Sequence, residues 1–165
     1  MNPGSQPLRR LGLFSHLFNM IPLTKNFSLD ELCKSDTAIK RNIPNNPSVE
    51  QIQCLYDLTV NVLQPLRDKL GKPIRINSGF RSAELNKAVG GSQTSQHSLG
   101  QAADLGGDIA NMFRIIIDQN LPFDQLIWEN TWVHVSYSDR HRRQILHYVN
   151  GKYIDISANW REVVK

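Results

Sequence analysis

The sequence predicts an α+β fold: a single domain with a mainly antiparallel sheet and flanking helices. Two observations carry this. Helix signals come first in the chain, whereas strand-like runs cluster late and are joined by short connections. No internal repeat interrupts that order.

The elements follow in chain order. "NFSLDEL" places Ser28 three residues before Glu31, the spacing of a capping box that opens a short helix. "NIPNNPS", residues 42–48, is a turn-rich loop. Ser48 and Gln51 repeat the capping-box spacing, and Ile52, Leu55, Leu58, Val62, Leu66 and Leu70 then recur on one helical face. Pro65 is expected to kink that helix or end its first segment, and Gly71 to stop it. "KPIRINSGFRS" reads as a strand running into a loop, and "SAELNKAV" as a short helix. "GGSQTSQHSLG" is a long irregular loop of the kind that carries function on a rigid scaffold. "QAADL" is a brief strand. "DIANMFRIIIDQN" is a helix with Asp108 as its expected cap. "DQLIWE", "WVHVSY" and "QILHYV" are strands, the last turning at Asn150-Gly151 into "KYIDI" as a hairpin.

The chain has 165 residues, of which 40% are hydrophobic and 21% charged, the balance of a globular chain able to bury a core. No run approaches the roughly 18 apolar residues of a membrane span. The net charge of +4 favours acidic partners such as nucleic acid or anionic wall polymers. The Lys and Arg residues are scattered, and no basic-aromatic recognition motif is present, so nucleic acid is not expected as a partner. Residues 1–19 differ from the rest. Two arginines precede a broken apolar run with no clear cleavage site, a weak imitation of a signal peptide. They read as a leader or poorly ordered extension before a domain spanning 20–165.

Cys33 and Cys54 form no CxxC pair. Cys54 lies on the helical pattern and reads as a small buried residue, and a disulfide between the two stays open.

His97, Asp104 and His134 are a candidate constellation. His97 sits in the irregular loop, Asp104 seven positions later on a short strand, and His134 on another strand. Two imidazoles and one carboxylate suit a catalytic zinc ion that keeps a position open for water. A histidine in an apolar strand is also commonly satisfied within the core, so spacing alone leaves the choice open. His16, His141 and His147 are the other histidines.

"SGFRS", "SQHSLGQAAD" and "WVHVS", in that order and at those separations, resemble the zinc-dependent D-alanyl-D-alanine carboxypeptidase and endopeptidase family of bacterial and phage cell-wall enzymes. The resemblance extends from about Phe27 to Tyr137. It implies a hedgehog/DD-peptidase-like fold with His97, Asp104 and His134 holding Zn2+. It also implies Arg81 as the cation for a substrate carboxylate, a task that suits the planar guanidinium fork. Ser95 matches a serine near the substrate and reads equally well as a turn cap. The chain departs from the family at one position. The family usually has an acidic residue three positions before the last histidine, and here that position is Thr131. Threonine takes no proton near neutral pH, so the expected general base is Glu129, five positions before His134, with Asp139 as a possible substitute.

The expected function is a zinc peptidase hydrolysing D-amino-acid-containing bonds of the peptidoglycan stem peptide, as a carboxypeptidase or an endopeptidase. The alternative, favoured by Thr131, is a catalytically impaired zinc module that binds cell-wall peptide without cleaving it. The sequence leaves the oligomeric state open. It also leaves open whether the protein works in the periplasm or outside the cell, or stays cytoplasmic until phage-type release.

Overall fold

The computed structural model describes residues 21–165, and the expected leader lies outside them. Ser28 starts helix α1 (Leu29–Cys33) by accepting the Glu31 N–H, although only this half of the expected capping box forms. Helix α2 (Asp36–Arg41), capped by Ser35, follows within a stretch where no helix was expected. Both halves of the Ser48–Gln51 capping box are made at the start of helix α3 (Val49–Leu58).

Pro65 neither ends nor simply kinks this helical run. A π-helical turn (Thr59–Leu63) precedes it, and helix α4 (Gln64–Leu70) resumes beyond. Proline has no N–H, and its ring clashes with a carbonyl four residues back in an α-helix. The widened turn accommodates this, because the Gln64 N–H reaches five residues back to Thr59 and Pro65 falls in the first turn of α4. Gly71 then stops the helix with φ of 71°.

The remaining elements are β1 (Arg75–Ser78), α5 (Ala83–Ala88), a 3-10 turn (Gln96–Leu99), β2 (Ala102–Gly106) and α6 (Ile109–Asp118). After them come β3 (Gln125–Trp128), β4 (Val133–Ser136), β5 (Gln144–Val149), β6 (Lys152–Asp155) and α7 (Trp160–Val163). The strands form one sheet in the order β1-β2-β4-β3-β5-β6, antiparallel except for the parallel β3–β5 pair. Asn150 and Gly151, both at positive φ, make the expected β5–β6 hairpin turn. Asp108 occupies the N-cap position of α6 but makes no side-chain cap bond. Lys72 Nζ donates to its carboxylate at 2.7 Å instead. Cys33 and Cys54 are free and half-buried, so no disulfide links them.

Side chains alternate across a strand, so the sheet has two different faces. Ala103, Leu105, Leu126, Trp128, Val133 and Val135 face the helices and are buried. They pack with Leu55, Leu58, Val62, Leu63 and Leu66 of the α3–α4 run and with Met112, Phe113 and Ile116 of α6. Phe113 meets Trp128 edge-on at 5.9 Å between centroids. Each large side chain buried there stabilises the fold by about 1.5–3 kcal/mol.

The other face carries a transverse row. Ser78 pairs with Asp104, Asp104 with His134, His134 with Ile127, Ile127 with Leu146, and Leu146 with Asp155. Residues directly opposite on neighbouring strands share a face, so this row crosses all six strands on the side away from the helices. Among the described residues, no helix is long and apolar enough to cross a membrane.

Candidate metal centre

His97 is brought to the row by the 3-10 turn. Ser95 caps that turn by accepting the His97 N–H, and Gly100 ends it at φ of 73°. A side chain at Gly100 would also run into the Gln51 carbonyl, so glycine is required there. His97 Nδ1 lies 2.7 Å from the Gly79 carbonyl oxygen. A carbonyl only accepts, so Nδ1 carries the proton and Nε2 presents a lone pair to the site. Burial lowers the pKa of His97, which keeps the ring neutral.

Asp104 Oδ1 lies 3.0 Å from His134 Nδ1 and 3.2 Å from His97 Nε2, and those two nitrogens are 3.3 Å apart. A tetrahedral ion with bonds of about 2.0–2.1 Å needs donors about 3.3 Å apart, so this triangle has the size of one face of a zinc coordination shell. The chemistry fits as well. Asp104 Oδ1 and His97 Nε2 both present lone pairs to the same point, an arrangement that a cation relieves. Burial alone would raise the pKa of Asp104, but the hydrogen bond from His134 and the close approach of His97 outweigh it and hold the carboxyl far below the usual range. Among the described residues, these three side chains are the group placed to hold a metal. His141 and His147 do not join them: His141 packs edge-on against Tyr137, and His147 contacts Asn130.

Arg81 lines the cleft beside Asp104. Its Nη2 donates to Asp104 Oδ2 at 2.7 Å and its Nε to Ser78 Oγ at 2.8 Å. The Nε–Nη2 edge, one of the forks suited to a substrate carboxylate, is therefore occupied by the protein. The arginine orients the second oxygen of Asp104, as outer partners commonly do for metal-binding carboxylates. Asn45 anchors the "SGFRS" loop by donating to the Cys33 and Phe80 carbonyls and accepting the Ser82 N–H. Gly79 lets the loop pass against α1, because a side chain there would collide with the Leu32 backbone. Gly79→Ala is expected to destabilise the protein by about 1–3 kcal/mol through overpacking, since backbone atoms cannot step aside. It should also weaken zinc retention by shifting the carbonyl that orients His97. Thermal melting and metal analysis after dialysis would show both effects.

Glu129 lies just past β3, two residues beyond Ile127, and lines the cleft floored by the row. Its N–H donates to the Trp132 carbonyl, and Asn130 takes φ of 63° to complete the turn into β4. Thr131 is exposed at that turn. Burial raises the pKa of Glu129; nearby His134 lowers it and Asp104 raises it, so the carboxylate senses the triangle electrostatically. Asp139 is exposed in the turn after β4 and does not line the cleft. Ser95 lines the cleft in addition to capping the turn.

A buried network supports the His97 turn and was missed in the sequence. Asp124 is fully buried and receives Arg142 Nε at 2.9 Å, Arg142 Nη2 at 2.6 Å and Gln96 Nε2 at 2.8 Å. Its signal was weak: an aspartate opening an apolar strand, and a basic run, "RHRR", far along the chain.

The peptidase M15 family profile matches residues 25–136. The chain belongs to the peptidase M15 family. All three members of the triangle, with Arg81 and Glu129, fall inside the matched segment. The donor set of two imidazoles and one carboxylate is of the kind that suits a catalytic zinc ion. The chain is also similar to the zinc D-Ala-D-Ala carboxypeptidase of Streptomyces albus G, with 50% identity over 50 residues. That match covers 30% of this chain and 20% of the relative, so the M15 chain spans about a fifth of the curated protein's length.

Proposed function

We propose that this M15 peptidase hydrolyses D-amino-acid-containing peptide bonds of the peptidoglycan stem peptide, as a D-Ala-D-Ala carboxypeptidase or a cell-wall endopeptidase. The observation that supports this reading best is the shared face. Glu129 lines the same cleft as the His97–Asp104–His134 triangle, and its pKa responds to His134 and Asp104.

His97, Asp104 and His134 would hold zinc, which when bound supplies Lewis acidity toward water and carbonyl groups. The chain's own residues do the rest. Glu129 takes a proton from the attacking water at its carboxylate and returns it to the leaving amine. Arg81 and the Gly79 carbonyl keep Asp104 and His97 in fixed orientations. The cleft, about 1090 Å³, has the volume to take a short peptide. Neither cysteine takes part, and burial followed by the nearby Asp30 pushes the Cys33 thiol up to about 12. The reaction takes place at the cell wall, reached by export or by phage-type release.

Digestion of purified peptidoglycan, read by mass spectrometry with and without a chelator, tests this. Soluble fragments should appear, disappear with chelator and return on zinc addition, and the fragment masses name the bond. Bound zinc at about one per chain with no fragments under any condition would instead favour the non-cleaving zinc module.

A further inference from the structure

Resting on that reading, we infer that Arg140, with Gln96, forms a subsite for a carboxylate of the peptide substrate beyond the scissile bond. The run Arg140-His141-Arg142-Arg143 lies in the loop after β4, and Arg140 and Arg142 line the same cleft as the His97 turn. His141 and Arg143 take positive φ of 43° and 55°, which sends successive side chains in different directions. Three of the four are engaged. His141 packs edge-on against Tyr137. Arg142 forks onto Asp124. Arg143 lies over the Phe123 ring at 4.6 Å and donates to the Leu121 carbonyl. Arg140 lines the cleft and is exposed, and no hydrogen bond or ion pair holds its guanidinium among the described residues.

Gln96 supplies the second group. Its Nε2 is fixed as a donor because the Asp124 carboxylate only accepts, which turns Oε1 away from Asp124. Gln96 is only 6% exposed and lines the cleft, and Oε1 has no partner among the described residues. A buried acceptor left unpaired costs free energy, and a peptide N–H entering the cleft would satisfy it. A free guanidinium and a free amide acceptor lining one cleft match a peptide unit followed by a carboxylate. Arg81 also lines the cleft, with Nε and Nη2 bonded within the protein and Nη1 left open toward a substrate.

The test uses the zinc-loaded full chain and a synthetic stem peptide ending in D-Ala-D-Ala, with matched peptides in which each carboxylate in turn is a carboxamide. Binding is measured by calorimetry on the Glu129→Gln background so that peptide is not consumed. Arg140→Ala should weaken binding of the parent peptide by about tenfold or more. One carboxamide should cost the Arg140 protein the same factor and cost the Arg140→Ala protein nothing further. Equal binding by both proteins, including no measurable binding to either, overturns the subsite, as does an Arg140→Ala loss that is the same for every peptide. Cleavage by the unmodified chain is followed separately. Carboxylate-dependent binding without cleavage would overturn the hydrolytic reading and leave the subsite standing.

Discussion

Glu129→Gln is expected to lower kcat for peptide hydrolysis by about 10²–10⁴-fold, the range lost with a positioned general base. Glutamine has nearly the same shape, so the turn from Glu129 to Trp132 should persist and zinc content should not change. The result matters because the position where a family acid was expected holds Thr131, whose side chain is exposed at the hairpin. Glu129 stands in a different electrostatic position, half-buried and coupled to His134 and Asp104. Thr131→Ala should leave kcat within about twofold, as surface substitutions away from special features usually do. Single-turnover kinetics on a stem peptide, with metal analysis of each variant, decides the matter. Retention of more than half the activity by Glu129→Gln would remove this residue from the chemistry.

Asp124→Ala should cost about 3 kcal/mol, a fall of roughly 10 °C in Tm. The change strips a fully buried carboxylate from Arg142 and Gln96 and leaves their donors facing an empty volume. Burial alone would raise the pKa of Asp124, but hydrogen bonds from the Arg142 side chain and backbone and from Gln96 prevail and hold it well below the usual carboxylate range. A carboxyl depressed in the folded state stabilises the fold above the unfolded pKa of about 3.9, and that contribution drains away as pH falls toward the folded value. Asp124→Asn should therefore flatten the acid limb of the stability profile while leaving the part due to Asp104. Because Gln96 adjoins His97, both variants should also release zinc faster. A Tm within about 2 °C of the parent would show that the network carries little of the fold's stability.

The transverse row explains which parts of the site could be read from sequence. His97, Asp104 and His134 carry their chemistry in their identities, and strand alternation puts Asp104 and His134 on one side once their pairing is known. The capped start at Ser48 and the turn at Asn150-Gly151 were equally legible, because each depends on a few adjacent residues. What escaped depended on distant neighbours. Asp104 claims one arm of the Arg81 fork from 23 positions away. Asp124 claims Gln96 and Arg142 across 28 and 18 positions, and no local pattern marks either link. The π turn before Pro65 was missed for a different reason. Proline announces that the α pattern must fail nearby, yet the way a packed helix absorbs the failure depends on the core around Thr59 and Val62.

Metal capture in this protein has to wait for the chain to finish its long-range work. His134 is 37 positions from His97 and 30 from Asp104, and its ring meets theirs only once β2 and β4 are zipped in register. Early, local structure offers no high-affinity foothold for the ion, so uptake becomes a late checkpoint in maturation, and a bound ion in turn locks the slowest-forming pairing in place. Zinc present during refolding should consequently leave the rate of strand pairing unchanged, whereas its removal from the finished fold should speed unfolding.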